Sequence, residues 1–110
     1  MEQYEVKITE YALEAMRGIA HYISYDLLAP QAAVNTLNAI RAEIKSLDTL
    51  PSRVALTDDE PWRSEGIHKM PVNNYLVYFW INEDEHIVHV TDVVYARRDQ
   101  KNVLQDMPLK

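Results

Sequence analysis

Asn73-Asn74 followed by Tyr75-Leu76-Val77-Tyr78-Phe79-Trp80-Ile81 is the stretch whose reading decides the fold. The paired asparagines tolerate positive φ and suit a two-residue hairpin turn. The run behind them is apolar at every position, so it reads as a central strand covered on both faces. Upstream, Gly66–Val72 forms the other arm of that hairpin. Downstream, Asn82–Glu85 is a polar turn, and His86–Tyr95, rich in β-branched residues, is the last strand. Arg97-Arg98-Asp99 breaks the pattern, and Val103, Leu104 and Met107 suggest a short tail helix packed back on the domain.

The first half reads differently. Tyr4, Val6 and Ile8 alternate with Glu5 and Lys7, as in a half-buried strand. Thr9 is placed to cap a helix over Glu10–Leu28, whose apolar stripe is Ala12, Met16, Ile19, Ala20, Ile23 and Leu27. Pro30 suits the first turn of a second helix, with Val34, Leu37, Ile40, Ile44 and Leu47 on one stripe, stopped by Pro51 near Leu50. Two amphipathic helices joined so tightly must be antiparallel neighbours. Residues 51–65 read as a polar, acidic loop. The order β-α-α-β-β-β is that of an α+β fold, a helical hairpin on a mainly antiparallel four-stranded sheet with a short C-terminal helix. The 110 residues form one domain, 1–110, without repeat or linker.

Composition narrows the function classes. The formal charge is −6, and 11 basic residues against 17 acidic ones leave no basic excess of the kind that drives phosphate binding. There is no cysteine, which removes disulfides and thiolate metal sites. No signal-peptide pattern opens the chain and no apolar run is long enough to cross a bilayer, so a cytoplasmic protein without membrane contact is expected. His86 and His89 are separated by an odd interval, which on a strand sends them to opposite faces, and no metal or cofactor is expected.

Four local patterns resemble the RelE/ParE toxin superfamily. Tyr4-Glu5-Val6-Lys7-Ile8-Thr9 with Ala12 is similar to its first strand and helix entry. Ala29-Pro30-Gln31-Ala32-Ala33 is similar to its interhelical turn, and Leu47–Pro51 to the end of its second helix. Asn74–Phe79 followed by Val93-Val94-Tyr95-Ala96-Arg97-Arg98-Asp99 resembles its closing strands. The resemblance spans nearly the whole chain. It implies the toxin of a type II toxin–antitoxin (plasmid stabilisation) pair, with a cognate antitoxin encoded beside it and a homodimer as a further possibility.

Two branches of that superfamily compete. In the ParE-like branch the toxin poisons DNA gyrase by protein–protein contact. In the ribonuclease branch the toxin cuts mRNA on the ribosome without a metal, which needs a proton acceptor, a proton donor and cations on the phosphorane. His68, Lys69, Arg63, Tyr95, Arg97 and Arg98 are the supply for that chemistry here. The third strand of the family usually carries an arginine after tyrosine, where this chain has Leu76, and the toxins are usually basic where this chain is acidic. Both departures favour growth inhibition through contact. A detoxified antitoxin-binding module is the third reading.

Each candidate also has a structural role available. His68 and Lys69 read equally as exposed strand residues, Arg97 and Arg98 as a strand end salt-bridged to Asp92, Asp99 or the acidic loop, and Tyr95 as a packing residue. Trp62 is either an interaction anchor or, preferably, a plug over one end of the core. Target or partner contact is expected from Arg97, Arg98 and Trp62. A hydrophobic groove for the antitoxin is expected along the outer faces of the two helices, at Tyr11, Tyr22 and Tyr25.

Overall fold

The computed structural model describes residues 2–98 and 100–109. β1 (Glu5–Ile8) leads into α1 (Glu10–His21), and α2 (Pro30–Lys45) returns antiparallel to it. β2 (His68–Val72), β3 (Tyr75–Asn82) and β4 (Ile87–Tyr95) follow, and α3 (Gln100–Leu104) closes the chain. The sheet order is β1-β4-β3-β2. β2–β3 and β3–β4 are antiparallel, whereas β1 pairs parallel with β4, because the helical hairpin and the two following strands carry the chain back to the edge beside β1. The expected α+β architecture is the observed one.

The two faces of the sheet bury different clusters. Val77, Phe79, Val88, Val90 and Val93 pack under Ala12 and Met16 of α1 and Leu37, Ile40 and Ile44 of α2. On the other face Tyr78 and Val94 pack with Trp62, Ile67, Leu104 and Met107. β3 is therefore covered on both sides, as its unbroken apolar run predicts. Thr9 caps α1, its hydroxyl accepting from the Ala12 N–H at 3.1 Å. Asn73 takes φ 53° in the hairpin turn, as the paired asparagines predict.

The helical hairpin departs from expectation at its tip. α1 stops at His21 and continues as a π-helical turn over Tyr22–Asp26, in which the Leu27 N–H donates to the Tyr22 carbonyl at 3.1 Å. The wider turn keeps Ile23 buried but rotates Leu27 off the stripe, to 55% exposure. Leu28 then turns the chain at φ 53°. In α2 the buried positions are Ala33, Leu37, Ile40 and Ile44, and Val34 lies outside the stripe at 52% exposure. α2 ends at Lys45, followed by a 3-10 turn over Ser46–Asp48 that buries Leu47.

Smaller boundaries also move. β2 begins at His68, because Gly66 takes φ 83° to end the preceding turn. β4 begins at Ile87, and His86 sits in the turn at φ 55°. Residues 51–67 are less open than a polar loop: Pro51–Arg53 form a 3-10 turn, Leu56 bridges to His68, and Pro61 follows a cis peptide bond.

Candidate functional site

The ribonuclease candidates do not converge. His68 faces Phe79 across β2 and β3, and directly opposed residues project to the same side. The two rings stack 4.9 Å apart on the helix-bearing face. His68 Nδ1 lies 2.7 Å from the Val54 carbonyl, so the ring donates there and is held by the chain that precedes it. Lys69, its neighbour, lies opposite Tyr78 and thus belongs to the other face. Arg63 is a structural residue: one guanidinium nitrogen donates to the Thr57 carbonyl at 3.2 Å and stands 3.8 Å from Asp58. Trp62 is only 9% exposed and is the plug, not an exposed anchor, because Leu104 and Met107 pack over it.

Leu76 lies opposite Val94 and packs into the cluster of Trp62, Tyr78, Leu104 and Met107. The sheet face on which a phosphate-binding arginine is expected is apolar here and roofed by the tail of the chain. Trp80 fixes that roof, its indole N–H donating to the Leu109 carbonyl at 2.6 Å.

Arg97 and Arg98 are exposed and lie in a turn, since β4 ends at Tyr95. Among the described residues neither makes an ion pair within 4.0 Å. Pairing with Asp99 falls outside the described residues.

A groove of about 1470 Å³ opens beside the upper half of β4. Its origin is topological. β1 ends at Ile8, opposite Val90, and the chain then leaves the sheet as α1. The edge of β4 beyond Val90 therefore has no strand on that side. α1 supplies one wall through Tyr11 and Ile19, continued by Tyr22 of the π turn, and Asn102, Val103 and Asp106 supply the other. Tyr95 and Arg98 stand at its upper end. Tyr11 and Tyr22, expected along the outer faces of the helices, line this groove, which runs between α1 and the C-terminal segment. Tyr25 does not line it and its ring lies tilted against His21, 4.6 Å between centres. Tyr95 leans on Tyr75 at 5.7 Å, so it packs as well as lining the groove.

Asp92, which the sequence offers only as a salt-bridge partner, also lines this groove. It is 2% exposed. Oδ1 accepts from the Val93 N–H at 2.8 Å, whereas Oδ2 is buried with no hydrogen-bond partner among the described residues. Burial pushes its carboxyl up to about 6, against the opposing pull of the Val93 N–H and the Arg98 guanidinium. The nearby Tyr11 hydroxyl is pushed up by burial and by the charges of Asp92 and Asp106. The signal for this position was one acidic residue inside an otherwise β-branched strand.

No group of three His, Asp or Glu side chains converges among the described residues. His86 lies tilted against Tyr4 and His89 stacks on Trp80, at 5.0 and 4.4 Å between ring centres. No helix among the described residues is long and apolar enough to cross a membrane.

The family model for the ParE toxin of the type II toxin–antitoxin system parDE matches residues 6–100. The chain belongs to this family. As a ParE-family toxin it also shares its fold with chains of several solved toxin–antitoxin systems. A chain of the chromosomal ParDE system from P. aeruginosa is 17% identical with a TM-score of 0.69, the match covering 86% of this chain and 98% of that one. A chain of the RelBE2 toxin–antitoxin complex from Mycobacterium tuberculosis is 18% identical with a TM-score of 0.62, covering 84% and 98%. A chain of the archaeal RelE–RelB complex from Pyrococcus horikoshii OT3 is 13% identical with a TM-score of 0.59, covering 88% and 99%. No curated protein matches the ParE-family chain in sequence. At these identities the structural likeness concerns the fold, and the family model carries the assignment as a type II toxin.

Proposed function

We propose that this ParE-family toxin inhibits growth by protein–protein contact, with a gyrase-type target, and that a cognate antitoxin restrains it by occupying the groove beside β4. The observation that carries the reading is the packing of half-buried Leu76 against Tyr78, Val94, Leu104 and Met107. On the sheet face that would hold a scissile phosphate, the usual arginine position carries an aliphatic side chain packed against the tail. His68 is on the opposite face, and β3 and β4 separate β2 from the groove where Arg98 lies, a distance on the order of 10 Å at strand spacing. A general base and a phosphorane-binding cation must meet within hydrogen-bond reach of one phosphate. His68 and Arg98 are too far apart for that. Solvent-exposed Arg97 and Arg98, by contrast, suit contact with an acidic protein surface.

The groove supports the antitoxin part. Its walls mix aromatic, aliphatic and charged groups, and it is long enough for an amphipathic segment. The solved ParDE, RelBE2 and RelE–RelB relatives come from toxin–antitoxin systems or complexes. The reading places the protein in the cytoplasm, where such a target is met.

The test has two arms. Purified chain is added to gyrase supercoiling reactions, and mRNA from induced cells is mapped by primer extension. Inhibited supercoiling without mRNA cuts is expected. Codon-phased cuts with normal supercoiling would move the protein to the ribonuclease branch.

A further inference from the structure

Asp92 is costly where it stands. A carboxylate taken out of water without a compensating partner destabilises the fold, and such groups cluster at functional sites. One oxygen is used by the Val93 N–H, and the other is buried with no hydrogen-bond partner among the described residues, in a residue that lines the groove. The groove as a whole has the same sign: Glu14, Asp92 and Asp106 line it against Arg98 alone. Its walls include the rings of Tyr11, Tyr22 and Tyr95.

Resting on the reading of this groove as the antitoxin's seat, we infer that the segment bound there carries an arginine whose guanidinium pairs with Asp92 Oδ2. The chemistry selects that side chain. A long stem passes apolar walls, a planar guanidinium stacks on tyrosine faces, and its N–H groups satisfy the buried carboxylate oxygen. A lysine ammonium, more strongly hydrated, gains less in such a groove. The pairing also makes the complex acid-labile. The groups facing Asp92 are Tyr11 and Glu14 from α1, Tyr78 from β3, Arg98 from the turn after β4, and Asp106 from the tail. Tyr11 and Tyr78 titrate far above neutrality, both being pushed up, which leaves Asp92 as the group that changes charge near pH 6.

The experiment titrates the isotope-labelled full chain with acetyl-arginine amide and with its uncharged isostere acetyl-citrulline amide. Saturable shifts at the Tyr11, Val93 and Tyr95 amides are expected for arginine only. Asp92→Asn should weaken them about tenfold or more, and moving wild type from about pH 7.5 to about pH 5 should weaken them about tenfold, as one proton linked at pH 6 requires. The wild-type Asp92 carboxyl carbon should itself titrate at lower pH when arginine is bound, which keeps the test decisive if Asp92→Asn fails to fold. Equal shifts with citrulline, or an Asp92 titration indifferent to arginine, would overturn the inference. So would a groove filled by a second copy of the chain in a dimer that arginine does not disturb. The antitoxin encoded beside the toxin separates the two claims. A complex indifferent to Asp92→Asn and to pH sinks the Asp92 pairing alone, and arginine binding without any antitoxin complex sinks the antitoxin reading alone.

Discussion

Trp80 and Leu109 join the central strand to the end of the chain: the indole N–H donates to the Leu109 carbonyl at 2.6 Å. With Leu104 at 1% and Met107 at 7% exposure, the bond makes the tail a structural layer over the sheet. Leu104→Ala should destabilise the protein by about 2–4 kcal/mol through lost transfer energy and a residual cavity. Trp80→Phe should cost less, about 1 kcal/mol from the hydrogen bond plus some packing. Urea unfolding of both variants checks the ranking. A Leu104→Ala chain as stable as wild type would mean that the tail does not cover the sheet in solution.

Asp92 ties stability to pH. Its folded value of about 6 lies above the ordinary 3.8, so the folded state holds the proton more tightly than the unfolded one. Its contribution is therefore unfavourable above about pH 6 and disappears as pH falls toward 3.8. The two-unit difference corresponds to roughly 2–3 kcal/mol at most. Asp92→Asn retains an oxygen for the Val93 N–H and removes the charge. The variant should be more stable than wild type at neutral pH, with the gap closing between pH 6 and pH 4. Thermal unfolding of both proteins across that range measures it, and a constant gap would mean that Asp92 titrates normally.

Much of this was legible in the sequence, and the failures share a cause. The apolar run at Tyr75–Ile81 identified β3, the alternation at Tyr4–Ile8 identified β1, and Thr9 identified the start of α1, because each depends on local chemistry. Leu27 and Val34 were placed in the core by helical period and lie outside it. For Leu27 the π turn at Tyr22–Asp26 changes the phase by one residue, which nothing in single-residue propensity announces. In the separate helix α2 it is Ala33 rather than its neighbour Val34 that faces the core. Tyr11 and Tyr22 were found as groove residues, yet the groove's second wall was not, since it comes from residues 102–106 folding back along β4. Asp92 was visible as an acid in a β-branched strand, but its missing partner is a property of tertiary packing alone.

Leu76 offers a direct test of the sheet face. Restoring the usual arginine there, Leu76→Arg, sets a guanidinium against Trp62, Tyr78, Val94 and Leu104. Leu76 is only partly buried, so the arginine head can reach toward water while its stem stays on the cluster. A destabilisation of about 1–2 kcal/mol is expected. No mRNA cleavage should appear, because His68 remains on the other face. Primer extension showing new cuts in Leu76→Arg cells would mean that one cation suffices to build a nuclease here.

The last prediction sets Arg97 and Arg98 against His68. His68 spends its Nδ1 on the Val54 carbonyl and its ring on Phe79, so His68→Ala removes a packing group and a hydrogen bond. It should lower stability by about 1–3 kcal/mol and leave growth inhibition intact wherever the folded toxin still accumulates. Arg97 and Arg98 are exposed and bear no ion pair among the described residues, so replacing both with alanine should barely change stability. Their loss should instead weaken inhibition and reduce its sensitivity to ionic strength, since exposed charges act mainly on the rate and orientation of encounter. Growth of induced cells, with toxin levels matched by immunoblot, gives the comparison, and gyrase supercoiling at low and high salt gives the second readout. Inhibition lost in His68→Ala and kept in the double arginine variant would reverse the assignment, making the imidazole the active group and the arginines ordinary surface charges.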